Sequence, residues 1–150
     1  MDKYNLDRFV LAQEKMFETA YNELKRGRKE SHWMWYIFPQ ITGLGFSEIA
    51  KYYAISNLDE TAAYLKHVIL GNNLIDISNV LIHHPSNNAT EIFGTPDNMK
   101  LRSSMTLFAQ AENTNSCFQT VLDKFFEGIP DEKTLKIITN EKNQILKVRE

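Results

Sequence analysis

One cysteine, four prolines and six glycines in 150 residues are scarcities that each exclude a class of protein. A lone Cys117 cannot form an internal disulfide, which excludes a small secreted disulfide scaffold and favours a reducing, cytoplasmic compartment. Proline and glycine are too few for a collagenous or low-complexity chain, and no period recurs. Long hydrophobic runs are missing as well. The longest, residues 33–38, falls far short of the roughly 20 residues that cross a bilayer. The opening MDKYNLDRF is charged at once, with no apolar export core behind it. An excess of positive charge is absent too: 17 Lys and Arg against 19 Asp and Glu leave a net charge of −2. That balance argues against a nucleic-acid polymer as partner, because such binding needs a broad excess of cations. No spaced Cys/His set and no H-E-x-x-H pattern occurs, so neither a metal nor a cofactor is expected.

What is present suits one globular domain over residues 1–150. Hydrophobic residues make up 43% of the chain and charged ones 24%, and a chain of this length buries enough surface to fold unaided. Leu6, Phe9, Val10, Phe17, Ala20, Tyr21 and Leu24 share one face of a helix, with Asn5 as cap and Gly27 as terminator. SHWMWYIFP is apolar on every side and reads equally as a short helix or a buried strand, ended by Pro39. Ser47 and Asn57 mark two short helices, over 48–54 and 59–66. Leu70, Leu74, Ile77, Val80 and Leu81 mark a longer one that stops before Pro85, and PSNNAT reads as loop. Thr95-Pro96-Asp97 is a strong helix start, with the helix running to about Ala111. Further helices open near Thr114 or Asn115 and at Asp131, and residues 141–150 are expected to fray. No segment shows sustained β alternation. The expected fold is all-α, a compact bundle of about seven helices.

Chemistry concentrates in RKESHWMWY, residues 28–36, with Gln40 just beyond. Trp33, Trp35 and Tyr36 offer flat faces on which a planar group can stack, and Arg28 and Lys29 could hold a phosphate. The alternative is that the rings are core and the cations merely face the negative end of the first helix. A second cluster lies on the helix opened by Thr95. Its apolar residues surround nearly the whole circumference, which marks a central helix. Lys100 and Arg102 nevertheless sit on it, with Ser103 on the Lys100 face and Ser104 at its edge. A central helix does not carry unpaired cations without cost, so they pair locally or border a cleft that admits an anion. Gly43-Leu-Gly45 reads as a turn, and His83-His84 lacks partners for a metal.

GRKESHWMWYIFPQITGLGFSEIAKYYAI, YLKHVILGNNL and GTPDNMKLRSSMTLF together resemble the small bacterial family designated domain of unknown function eighteen-ten, over residues 6–137. The resemblance implies a compact α-helical fold and a cytoplasmic bacterial protein, and it brings no activity. Val68 stands where that family's pattern has proline.

The leading expectation is a protein that binds or processes a small anionic, nucleotide-like ligand. Arg28, Lys29, Trp33, Trp35, Gln40, Lys100, Arg102, Ser103 and Ser104 would contact the ligand, with His32 as candidate general acid or base. Arg102 or Lys100, Ser103 and His32 should then line one pocket. The rival is a non-catalytic interaction module that presents the Trp/Tyr cluster to a protein partner. Rings in a concave pocket favour the first, and rings on a flat surface the second.

Overall fold

The computed structural model describes residues 2–149. Among the described residues nine helices run in order: α1 (Asp7–Arg26), α2 (Met34–Ile37), α3 (Glu48–Tyr53), α4 (Leu58–Lys66), α5 (Val68–His83), α6 (Ala89–Phe93), α7 (Asp97–Ala109), α8 (Cys117–Phe126) and α9 (Glu132–Arg149). Among the described residues the only extended pairing is an isolated bridge between Ile41 and Ile55.

The ends of α1 show how local chemistry sets the boundaries. Asp2, not Asn5, caps its start: the carboxylate accepts from the Leu6 and Asp7 amides at 2.6 and 2.9 Å. Asn5 instead turns the chain with a left-handed φ of 52°. At the other end Gly27 takes φ 89° and donates to Leu24 and Glu23 carbonyls. A side chain there would be strained by that φ and would run into the His84 ring as well.

Helix wins over strand in the apolar stretch because its bonds are local. The Ile37 and Phe38 amides donate to Trp33 and Met34 carbonyls, and Pro39 stops the single turn. The caps expected at Ser47 and Asn57 form, accepting from Ala50 and Glu60 amides. His67 opens α5 with its Nδ1 accepting from Ile69 and Leu70. The end of PSNNAT is not loop: Asn88 accepts from the Glu91 amide at 3.1 Å and starts α6. Five residues are too few to show a period, and an asparagine cap reads as a turn when the helix behind it is invisible. Thr95 does not cap α7, whose N-cap is Pro96 without a side-chain bond. Residues 141–149, expected to fray, continue α9 to Arg149, and residue 150 lies outside the described residues.

α7 is central, as its all-round apolar pattern requires: Leu101 and residues 103–108 are buried. It packs against α6, α8 and α9, while α5 packs against α1, α4 and α8. A ladder of rings ties these layers together. Phe9 meets Tyr64 at 5.2 Å, Tyr64 meets Phe108 at 5.2 Å, and Phe108 meets Phe118 at 5.7 Å. Truncating such a ring to alanine costs about 3–5 kcal/mol in a packed core.

Two buried polar knots hold this frame. Arg8 pairs with Glu60 at 2.9 Å and also donates to the Tyr52, Tyr4, Asn5 and Ala54 carbonyls. Glu60 takes the Ser56 amide and hydroxyl on its other oxygen. The second knot is Glu23, which accepts from the Glu30 and Ser31 amides, the Ser31 hydroxyl and the Trp33 indole N–H. The three buried charges, Arg8, Glu60 and Glu23, are therefore each hydrogen-bonded several times over, the condition under which burial is tolerated.

Candidate functional groove

The turn that follows α1 is pulled onto the start of α7. The Lys29 amide donates to the Ile92 carbonyl at 2.7 Å. Its ammonium sits 2.9 Å from Asp97 Oδ2, donates to the Ser31 carbonyl at 2.6 Å and lies 5.0 Å from the centre of the Trp33 ring. Lys29 is thus a strut whose ammonium is already engaged by Asp97, the Ser31 carbonyl and the Trp33 ring. Asp97 has a second cation, Lys100, 3.6 Å from its other oxygen. Lys100 in turn stands 5.8 Å above the Trp35 ring. The aromatic segment and the α7 cations, far apart in the chain, meet here.

Beside this junction opens a groove of about 940 Å³. Trp35, Gln40, Lys100, Arg102 and Ser103 line it, together with Leu44, Phe46, Met99, Ile129 and the start of α9 from Asp131 to Lys133. Arg102 is held by two carbonyls and a ring: Nε donates to the Ile129 carbonyl at 2.8 Å, Nη2 to the Pro130 carbonyl at 3.1 Å, and the guanidinium carbon lies 5.9 Å from the centre of the Phe126 ring. Those two bonds fix the plane of the guanidinium, and Nη1 makes no hydrogen bond among the described residues. No carboxylate pairs with Arg102 among the described residues, in contrast to Arg8. Ser103 is buried, its hydroxyl donating to the Met99 carbonyl at 3.2 Å. The acids at the groove are unequal. Asp131 is occupied in capping α9, accepting from the Thr134 amide and hydroxyl at 3.0 and 2.6 Å. Glu132 is exposed at the rim.

The groove joins five of the residues expected from the sequence and leaves five outside. Trp33 is wholly buried, its indole N–H 2.8 Å from Glu23 Oε1. Burial pushes the Glu23 carboxyl up, but the Ser31 hydroxyl, the Glu30 and Ser31 amides and the Trp33 indole outweigh it and hold the group down at about 2. Ser104 is fully buried away from the groove, its hydroxyl oxygen without a partner among the described residues. Arg28 and His32 are exposed and lie outside the lining, and Lys29 is the strut described above. The pocket expected to hold His32 therefore forms without it. The tight turn around Glu23 puts the Trp33 ring inward and leaves its neighbour in solvent.

Leu44, Phe46, Met99, Ile129 and Lys133 were not anticipated. Phe46 and Met99 could have been suspected from their places beside Gly45 and one turn before Ser103. Ile129 and Lys133 carry no local signal.

A second hollow of about 420 Å³ lies between α1 and α5, lined by Tyr21, Lys25, Asp76, Asn79, Val80, His83, His84 and Pro85. His83 shares a 2.8 Å hydrogen bond with the Asn79 carbonyl, and His84 accepts from the Ser86 amide at 3.0 Å. Both rings thus serve the end of α5. Among the described residues no group of three or more His, Cys, Asp or Glu is placed to hold a metal ion. Burial pushes the Cys117 thiol up to about 11, which leaves it protonated at neutral pH and a poor nucleophile. No described helix is long and apolar enough to cross a membrane.

The architecture defines an all-helical protein with one mixed aromatic and cationic groove against its central helix. The chain belongs to the family described as "Protein of unknown function (DUF1810)", which matches residues 3–138. It is similar to a conserved hypothetical protein from Mycobacterium tuberculosis known from a crystal structure: 43% sequence identity, TM-score 0.90, covering 92% of this chain and 99% of that one. No curated protein matches the sequence.

Proposed function

We propose that the protein binds a small anionic, nucleotide-like molecule in the groove beside α7. The observation that carries this reading is the meeting of Trp35 and Gln40 with Lys100, Arg102 and Ser103 around one concavity. Trp35 offers a half-exposed ring face for a planar group. Arg102 offers an oriented guanidinium whose charge has no carboxylate partner among the described residues, suited to a phosphate. Lys100 shares Asp97 with Lys29, so the two cations are only partly neutralised. Gln40 places an amide at the same wall, able to read the polar edge of a base. About 940 Å³ is at the upper end of the range in which small-molecule sites fall, roughly 300–1,000 Å³.

Binding is the proposal; His32, the candidate proton-transfer group, lies outside the groove lining. A single cysteine supports a cytoplasmic setting, and the similar protein from Mycobacterium tuberculosis supports a bacterial one. The interaction-module reading puts Trp33, Trp35 and Tyr36 together at the surface; Trp33 and Tyr36 are buried and Trp35 alone is half-exposed, in the groove, which favours the ligand reading. Thermal shift with nucleotides and sugar phosphates tests the proposal. Nucleotides should raise Tm, and Arg102→Ala should remove the rise. A panel that leaves Tm unmoved, or a rise that survives Arg102→Ala, would overturn it.

A further inference from the structure

Phe46 is 83% exposed, more than any other large apolar residue in the described chain. An exposed phenylalanine is unremarkable on its own, but this one lines the same groove as Trp35. Its setting is built rather than incidental. The chain before it is anchored where the Thr42 amide donates to the Ile55 carbonyl at 2.8 Å and the Ile55 amide to the Gln40 carbonyl at 2.9 Å. The chain after it is anchored at Ser47, whose hydroxyl caps α3. Gly45 passes so close to α3 that a Cβ would lie 2.6 Å from the Ala50 Cβ, so the backbone is seated there. Gly45 and Phe46 themselves make no backbone hydrogen bonds among the described residues. Between those anchors an unpacked ring has a ready motion, rotation of the Phe46 side chain over the groove.

We infer that Phe46 is the second wall of an aromatic clamp, closing on the planar group of the ligand against Trp35. This rests on the nucleotide reading above and adds the residue that would distinguish a nucleotide from a sugar phosphate. Arg102, Lys100 and Gln40 can hold a phosphate or a hydroxylated ring without Phe46. Only a ligand with a flat, apolar-faced group gains from covering an otherwise solvated phenyl ring, and Met99, half-exposed on the same wall, extends that apolar edge.

The test measures dissociation constants of ADP and of ribose 5-phosphate for the intact protein, Phe46→Ala, Phe46→Tyr and Arg102→Ala. Phe46→Ala should weaken ADP roughly tenfold or more, as loss of one stacking ring does, and should narrow the preference for ADP over ribose 5-phosphate by a similar factor. Phe46→Tyr should restore both. Arg102→Ala should weaken both ligands. Since Phe46 packs on little, Phe46→Ala should unfold at the wild-type temperature, so that a loss of binding is not a loss of fold. ADP binding unchanged in Phe46→Ala overturns the clamp and leaves the groove reading standing. Equal weakening of ADP and ribose 5-phosphate by Phe46→Ala also overturns it, because Phe46 would then shape the groove rather than grip a base. If the intact protein binds ADP not at all, or binds it independently of Arg102, the groove reading and the clamp fall together.

Discussion

Arg8 and Arg102 are both arginines on helices against the core, and their surroundings are opposite. Arg8 meets a carboxylate and four backbone carbonyls, in a buried knot that stitches α1 to the chain around α4. Arg102 meets two carbonyls and the Phe126 ring, 5.9 Å from its guanidinium carbon, and no carboxylate among the described residues, and it lines the groove. The two tryptophans repeat the contrast two residues apart: Trp33 is sealed against Glu23, whereas Trp35 faces the groove with Lys100 above it. A side chain whose bonding capacity is exhausted by the fold is there for the fold. One held firmly but incompletely is free to bind something else.

The contrast breaks most visibly at Arg8. Replacing it with alanine leaves the Glu60 carboxylate buried without its cation and should cost about 3–5 kcal/mol, read from urea unfolding. A loss near zero would mean that this knot does not hold the frame. Next in size is Glu23→Gln, which weakens a four-donor site and should cost about 2–3 kcal/mol. It should also change the acid limb of stability. The folded Glu23 carboxyl lies at about 2 against an ordinary 4.5, so the unfolded chain binds the proton first. Its contribution is complete above the ordinary value and is lost as pH falls through that window. Unfolding measured between those limits should show a shallower pH slope in Glu23→Gln than in the native chain.

On the open side the effects on stability should be small. Arg102→Ala should cost less than about 1 kcal/mol, since Ile129 is exposed and water can satisfy the freed carbonyls. A cost matching that of Arg8→Ala would make Arg102 a second structural knot. Smallest of all is His32→Gln, on an exposed ring outside the groove. It should change stability by no more than about 0.5 kcal/mol and leave ligand-dependent thermal shifts untouched; a lost shift would bring His32 back to the site.

Much of the frame was legible from spacing. The stripe of α1 with its terminating Gly27, and the apolar circumference that makes α7 central, are local patterns with one reading. The α6 turn was not legible, because five residues carry no period and Asn88 looks like loop chemistry. The groove was half legible. A central helix carrying Lys100 and Arg102 had to pair them or open a cleft, and it does some of each, with Asp97 serving Lys100. The fates of Trp33 and Trp35 were not readable, since two residues apart on a single turn they point different ways, and Glu23, which decides the matter, reads as an ordinary surface charge of α1. Phe46 and Ile129 reach the groove through tertiary packing that no neighbouring residue announces.

The claim that the groove is a ligand site rests on Trp35, and its own emission tests it most directly. Titrating ADP into the protein should change tryptophan fluorescence saturably. In Trp35→Phe, where only the sealed Trp33 emits, the change should vanish while the protein stays folded. A saturable change that persists in Trp35→Phe, or none in the native chain, would contradict the account.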